Sequence, residues 1–457
     1  MKMPRISSER NFNLPKINPM RYRIYFLLIP ILTTAISGFS QSYTYWAVGD
    51  TADVQPGNTL PGIVMGGGGG DNDQAMQWML ARAGGGDVVV IRASGQDDYN
   101  LYFYEDLGVA VNSVETIRFE SGEAADDPYV LSRIRNAECL FIAGGDQFDY
   151  YSYWKDTPVE EAINYLINEK GVTVGGISAG MAILGQCYYT PSGSSLDAEE
   201  ALSNPYHPDY EILGCNDFLD VPFTQYLVTD THYEQRERPG RHVGMLARIA
   251  REYNTRSFGI AANEYTAVAI DEFGLAQAFG AYPEYDEDYV FFLQANCQDE
   301  FLPETMEEGV PLAWDRGHSA VKVYAVPART SGEGVFDLSD WQTGIGGEWQ
   351  NWYVQDGELM RAFDTGPDCG AVLNGTADAA LSRQLHIFPN PASEQLYLKW
   401  PAGKPVEGVE LRSACGQVLL RKDGPVRELS LKGLAGGIYF LEVKIAGRVL
   451  VKKLVKG

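Results

Sequence analysis

The apolar and polar positions along this chain change period repeatedly, and each change marks an element. Ala162, Ile163, Leu166 and Ile167 recur at helical spacing. Ahead of them Thr157-Pro158-Val159-Glu160 has the composition of a capping box with proline at the first helical position, and Lys170-Gly171 supplies a stop. A helix between these signals is therefore predicted. Val172-Thr173-Val174 then drops the helical period and reads as a short buried strand. Ile63-Val64-Met65, Asp87 to Ala93 and Cys139 to Ala143 are further apolar runs, and Ala75, Met76, Trp78, Met79 and Leu80 restore helical spacing between the first two. Alternation of this kind predicts an α/β fold on an open, mostly parallel, doubly wound sheet. Functional groups on such sheets gather at strand C-termini.

Towards the end of the chain the period shortens to two. Leu396 to Trp400, Val409 to Arg412, Gln417 to Leu420 and Ile438 to Val443 alternate around Gly and Pro turns, which predicts a small all-β sandwich over residues 384–457. At the other end, Arg21 and Arg23 precede an apolar stretch from Ile24 to Ile36 and the small residues Ser37, Gly38 and Ser40. Residues 1–40 thus read as a secretory signal with an N-terminal extension, too short in its apolar part for a membrane span, and Met20 is an alternative start. Residues 41–365 form the expected catalytic domain, and 366–383, small and polar, the linker. Within 285–383 Val321 to Val326 is strand-like. Trp341, Trp349, Trp352 and Tyr353 suit either core packing or a stacking platform, with packing favoured.

Charge sharpens the division. The formal net charge is −25; residues 384–457 hold 12 Lys/Arg against 6 Asp/Glu and residues 1–40 hold 6 against 1, so the segment between them carries −36. Such a surface argues against nucleic acid and anionic lipid as partners. Export would put the six cysteines in an oxidising compartment, with pairings that sequence does not choose. Without C-x-x-C spacing or clustered histidines, no metal site is expected.

The chemistry centres on Gly176-Ile177-Ser178-Ala179-Gly180, one serine between glycines where a strand meets a predicted helix from Ala179 to about Gln186. A sharp strand-to-helix turn presents a nucleophile and fresh backbone N–H groups together. A plain glycine-rich packing turn is the alternative. Gly144-Gly145-Asp146-Gln147 repeats the strand-then-glycine pattern, so the N–H groups of Gly145 and Ala179 are candidate oxyanion donors. Of the downstream histidines, His232 follows a strand-like run ending in Asp230 and precedes Arg236, Arg238 and Arg241; His242 and His318 read as packing or surface residues. Glu264 stands where an apolar strand turns polar and is the candidate acidic partner. Gly66 to Gly70 lacks both a lysine and the spacing of a nucleotide fingerprint, and is read as a flexible loop beside the site.

Gly144-Gly145-Asp146-Gln147, Gly176 to Gly180, Asp230-Thr231-His232-Tyr233 with its arginines, and Asn263-Glu264-Tyr265-Thr266-Ala267 occur in the order found in cyanophycinases, which the chain resembles over about residues 60–330. These are serine peptidases related to dipeptidase E on a class I glutamine amidotransferase-like fold. The resemblance implies Ser178 as nucleophile, His232 as base, Glu264 as orienting acid, Gly145 and Ala179 as oxyanion donors, and Gln147, Asp230 and Arg236 in the substrate pocket. It implies a cyanophycin-like or β-aspartyl peptide substrate and neither metal nor organic cofactor. Two departures bear on substrate choice: Thr231 stands where the family commonly has glutamine, and the arginine segment is one residue longer. Phe388-Pro389-Asn390-Pro391-Ala392, Gly436 to Leu441 and the ending Lys452-Lys453-Leu454-Val455-Lys456 resemble the C-terminal sorting domain of type IX secretion cargo. That implies the type IX machinery as partner and a secreted or outer-surface location. Self-association as a homodimer stays open. So do two other classes: an α/β-hydrolase esterase, which would place His318 after the acid, and a noncatalytic secreted binder.

Overall fold

In the computed structural model the described residues are 41–363 except 211–212 and 298–299, residue 366, and residues 385–388, 392–400, 406–413, 418–445 and 448–456. The expected signal and almost all of the expected linker lie outside them.

Within the unit Ser42–Gly457, ten strands form one sheet. Their order is Tyr43–Gly49, Ser113–Phe119, Asp87–Arg92, Cys139–Ile142, Thr173–Ile177, Gly62–Gly66, Ala267–Asp271, Leu275–Phe279, Gly334–Asp337 and Gly344–Ile345. The five from Ser113–Phe119 to Gly62–Gly66 run parallel, and the strands on either side are antiparallel. Asp87–Arg92 shows why the block is buried on both faces. Val88 and Val90 pack with Met76, Met79 and Leu80 of the helix Asp73–Arg82, whereas Val89 and Ile91 join the core that holds Val130, Ile134, Tyr150, Trp154 and Ile163. A continuous apolar run is what a parallel strand covered by helices on both sides requires. Each such side chain contributes about 1.5–3 kcal/mol by leaving water.

The predicted helix after Thr157 runs as an α-helix over Pro158–Tyr165 and widens into a π-turn over Leu166–Lys170, with Gly171 left-handed at φ 68°. Thr157 caps it by accepting the Val159 N–H at 3.3 Å, but the Glu160 carboxylate accepts from Asp156 N–H at 2.6 Å, so the capping box is incomplete.

A second sheet, which the sequence pattern did not announce, lies in the same unit. Its order is Glu358–Phe363, Glu348–Gln355, Val321–Pro327, Tyr289–Ala295, Phe258–Ala262, Leu227–Asp230, Cys187–Tyr189 and Leu213–Cys215. Ile260, Val290, Phe292 and Val326 on one face share the core of the first sheet, while Val228, Phe291, Leu293 and Val323 pack against the helix Pro239–Tyr253. Trp341 and Trp352 are core residues of different layers, and Trp349 is half-buried against the first. Trp341 lies with Phe336 and Phe258, Trp349 packs on Tyr324, and the fully buried Trp352 belongs to the other cluster.

Cys187 and Cys215, directly opposite on adjacent strands, form a disulfide with Cα atoms 4.0 Å apart. Cys297 is also disulfide-bonded. Cys139 is a free buried thiol whose pKa burial pushes up. The C-terminal strands make two antiparallel sheets, of three strands (His386–Phe388, Gln395–Lys399, Glu428–Ser430) and four (Val418–Asp423, Val406–Ser413, Gly437–Ile445, Arg448–Lys456). Leu396, Leu398, Val409, Leu411, Leu429, Leu441 and Val443 fill the core they share.

Candidate active site

Ser178 follows the strand Thr173–Ile177 at φ 52° and ψ −114°. That conformation is unfavourable for a residue with a Cβ and costs of order 1–3 kcal/mol. The turn tolerates it because its neighbours are small: a Cβ on Gly180 would stand 2.1 Å from the Ile142 carbonyl oxygen. The helix behind it is shorter than expected, Ala179–Ala182 rather than reaching Gln186. Ser178 N–H donates to Gly66 O at 2.9 Å, pinning the elbow to the neighbouring strand.

His232 and Glu264 come from the second sheet. Strands Leu227–Asp230 and Phe258–Ala262 are parallel neighbours, with Asp230 opposite Ala261. Both chains therefore leave the sheet at the same end, His232 two residues beyond one strand and Glu264 two beyond the other. Thr229 Oγ1 donates to Met181 O at 2.8 Å and ties the histidine strand to the helix behind the serine. The three side chains meet in a line: Ser178 Oγ is 2.9 Å from His232 Nε2, and His232 Nδ1 is 2.6 Å from Glu264 Oε1. With the Nδ1 proton directed at the carboxylate, Nε2 faces the hydroxyl as an acceptor. A hydroxyl, imidazole and carboxylate so ordered are suited to nucleophilic catalysis.

Burial is the main influence on the imidazole and lowers its pKa below the usual 6.5; the Glu264 bond opposes this, and the Arg236 and Arg238 charges reinforce it. A lowered value keeps the ring neutral, as a base must be.

Gly145, Gln147, Ser178, Asp230, His232 and Arg236 all line one narrow cavity of about 70 Å³, together with Tyr189, Arg238 and Arg241. Tyr150 Oη donates to Ala143 O at 2.8 Å and braces the turn that carries Gly145. Asp230 reaches the wall already paired. Arg241 Nε and Nη2 bind its two oxygens at 2.9 and 2.6 Å, and Arg238 lies 3.7 Å away. Burial alone would raise the Asp230 pKa, but these arginines hold it below the usual carboxylate range. Arg236 is exposed and makes no salt bridge among the described residues. Glu234 and Glu237 of the same loop, with Glu199, Asp356, Glu358 and Arg361, line a wider groove of about 740 Å³. There Arg361 pairs with Glu234 at 2.8 Å.

The other histidines stand apart. His242 is fully buried, bonded to Val228 O at 3.1 Å, and lowered by burial to about 4. His318 is exposed, bonds Asp315 at 2.8 Å and does not line the Ser178 cavity. Two supporting residues were given no role by the sequence, although Asn263 stands in the Glu264 motif. Gln235 Oε1 accepts the Glu264 N–H at 3.1 Å, and the buried Asn263 accepts the Glu234 N–H at 3.1 Å while donating to Glu287 O at 2.7 Å. These bonds join loops that are adjacent only after folding.

Residues 91–277 match the model of peptidase family S51, and residues 386–457 that of the secretion system C-terminal sorting domain. A cyanophycinase of Trichormus variabilis is 23% identical over 177 residues, which cover 39% of this chain and 53% of that protein. One from Synechococcus elongatus is 24% identical over 194 residues, covering 42% and 55%. The chain thus spans about half the length of the curated relatives it matches. The crystal structure of a peptidase from an acI-B1 actinobacterium aligns with 51% of this chain and 91% of its own, at 16% identity and a TM-score of 0.35.

Proposed function

Because this chain carries a peptidase family S51 domain followed by a type IX secretion sorting domain, we propose that it is an exported serine peptidase hydrolysing cyanophycin or related β-aspartyl peptides, with Ser178 as nucleophile, His232 as base and Glu264 as orienting acid. The observation that carries this reading is the unbroken line from Ser178 Oγ through both ring nitrogens of His232 to Glu264, at 2.9 and 2.6 Å.

As the serine oxygen attacks a peptide carbonyl, His232 Nε2 takes its proton and Glu264 stabilises the resulting imidazolium. The developing oxyanion faces the N–H groups of Ala179 and Gly145; losing either donor costs about 3 kcal/mol of barrier. His232 then protonates the leaving amine, and a water activated by the same ring hydrolyses the acyl-enzyme, so every proton is handled by one imidazole. Arg236, with Gln147 beside it, meets a substrate carboxylate in the cavity, where a planar guanidinium can bind both oxygens. Asp230 contributes indirectly by holding Arg241. The acidic groove that the same loop lines suits the arginine side chains that cyanophycin carries on its polyaspartate backbone.

The test is incubation of the chain from residue 41 onward, and of its Ser178→Ala variant, with cyanophycin and β-Asp-Arg oligomers, with released dipeptide followed by mass spectrometry. Release by the unaltered chain alone is expected. Equal release by both would remove Ser178 from the mechanism, and release by neither would remove this substrate class.

A further inference from the structure

The run Gly66–Gly70 precedes the 91–277 family match, and the cavity does not account for it. Gly66 ends its strand between Ile177 on one side and Ala267 on the other, so the chain beyond it runs between the elbow and the loops from the second sheet. Its backbone bonds are specific. Gly66 O accepts Ser178 N–H at 2.9 Å, Gly67 O accepts His232 N–H at 2.8 Å, Gly67 N–H donates to Thr266 O at 2.8 Å, and Gly68 O accepts Tyr265 N–H at 2.8 Å. The expectation of a flexible loop is thereby corrected for Gly66 to Gly68, whose carbonyls accept from the loops that bear the three aligned side chains.

The absence of side chains is what permits this approach. A Cβ on Gly68, whose φ is +100°, would lie 2.4 Å from both Cε1 and Nε2 of His232, the edge of the ring that faces Ser178. One on Gly69 would lie 2.8 Å from Glu264 Cβ, and one on Gly67 would lie 2.0 Å from Asn263 O. We infer that Gly67, Gly68 and Gly69 are positioning residues, a backbone clamp that sets His232 between Ser178 and Glu264. This rests on the reading of those three residues as the catalytic line. Ser178 stands on one sheet, His232 on a loop leaving the other, and Glu264 on the loop that joins the second sheet to the first. The clamp therefore fixes a distance that neither sheet's own register determines. Small errors there are costly, since a displacement of about 1 Å can reduce rate by about 100-fold.

The test compares the full chain with Gly68→Ala, Gly69→Ala and Gly70→Ala. The methyl of the last meets only the ring of Tyr265, which is 57% exposed. Labelling of Ser178 by a fluorophosphonate is followed against pH, alongside the downfield imidazole proton resonance of the His232–Glu264 bond. Gly68→Ala and Gly69→Ala are expected to label about 100-fold more slowly, with the resonance lost. In Gly69→Ala the acid limb should also move to lower pH, because the Glu264 bond that supports the imidazolium is weakened. Gly70→Ala should stay within about twofold of the unaltered chain. If Gly68→Ala does not fold, Gly69→Ala alone decides. Unchanged labelling, pH profile and resonance in the folded variants would overturn the clamp. Absence of Ser178 labelling in the unaltered chain would instead overturn the catalytic reading beneath it.

Discussion

Truncation of Asp230 to alanine would leave a guanidinium stranded in the protein interior. The Asp230 side chain is 1% exposed and that of Arg241 5%, and the two are joined in bidentate fashion at 2.6 and 2.9 Å. In the variant Arg241 would retain Ser195 Oγ and the Leu196 carbonyl, but no carboxylate. An unpaired charge so enclosed costs about 3–5 kcal/mol, whereas replacing both partners by apolar residues of similar volume is near neutral. Guanidinium unfolding followed by tryptophan fluorescence should therefore show Asp230→Ala destabilised by about 3–5 kcal/mol, and Asp230→Leu/Arg241→Met recovering most but not all of that loss, because Arg238 also loses the carboxylate 3.7 Å away. The sign with pH follows from the lowered Asp230 pKa: stabilisation is present above the unfolded carboxyl value of about 3.9 and lost as pH falls through the lower folded value. The difference between the unaltered chain and Asp230→Ala should thus be level through neutral pH and shrink under strong acid. A cost below about 1 kcal/mol, as for a surface pair, would refute this account of the pocket wall.

Other consequences are smaller in scope. If His232 is the proposed base, which acts when neutral, the acid limb of kcat/KM should lie below pH 6.5 because its pKa is lowered; Arg236→Gln should move that limb upward in a pH-rate profile by removing a neighbouring positive charge. Glu264→Gln should reduce kcat by about 10⁴-fold with little change in thermal midpoint, read by steady-state kinetics on a cleaved peptide. Reduction of Cys187–Cys215, which spans 28 residues, should lower unfolding free energy by about 3.5 kcal/mol, measured by denaturant titration of Cys187→Ser/Cys215→Ser against the parent. Trp352→Ala should cost about 3–5 kcal/mol in the same titration, since Trp352 is fully buried between Tyr233 and Phe291.

The parallel block was legible because both of its faces are covered, so Val88–Ile91 and Cys139–Ile142 read as unbroken apolar runs flanked by helix signals. The second sheet was not. Tyr289–Ala295 is antiparallel yet buried on both faces, which erases the alternation that would have marked it, and Val321 to Val326, although strand-like in the sequence, carries no sign of the strands it pairs with. Ser178 was visible through local steric demands, as a strained turn needs small neighbours within two residues. His232 and Glu264 were named partly from their setting at polar strand ends, and the structure brings both to the serine. The pairing of Asp230 with Arg241, and the bonds of Gln235 and Asn263, depend on contacts between loops and left no periodic trace. The glycine run was misread for a related reason: five glycines signal backbone freedom in an unfolded chain, and only the surrounding loops turn that freedom into close approach.

The most direct measurement is mass-spectrometric capture of a fluorophosphonate adduct on the intact chain, followed by identification of the modified peptide. One adduct is expected, on Ser178, forming far more slowly in His232→Gln and Glu264→Gln. An adduct that is absent, placed elsewhere, or formed at the same rate without His232 would contradict the catalytic reading.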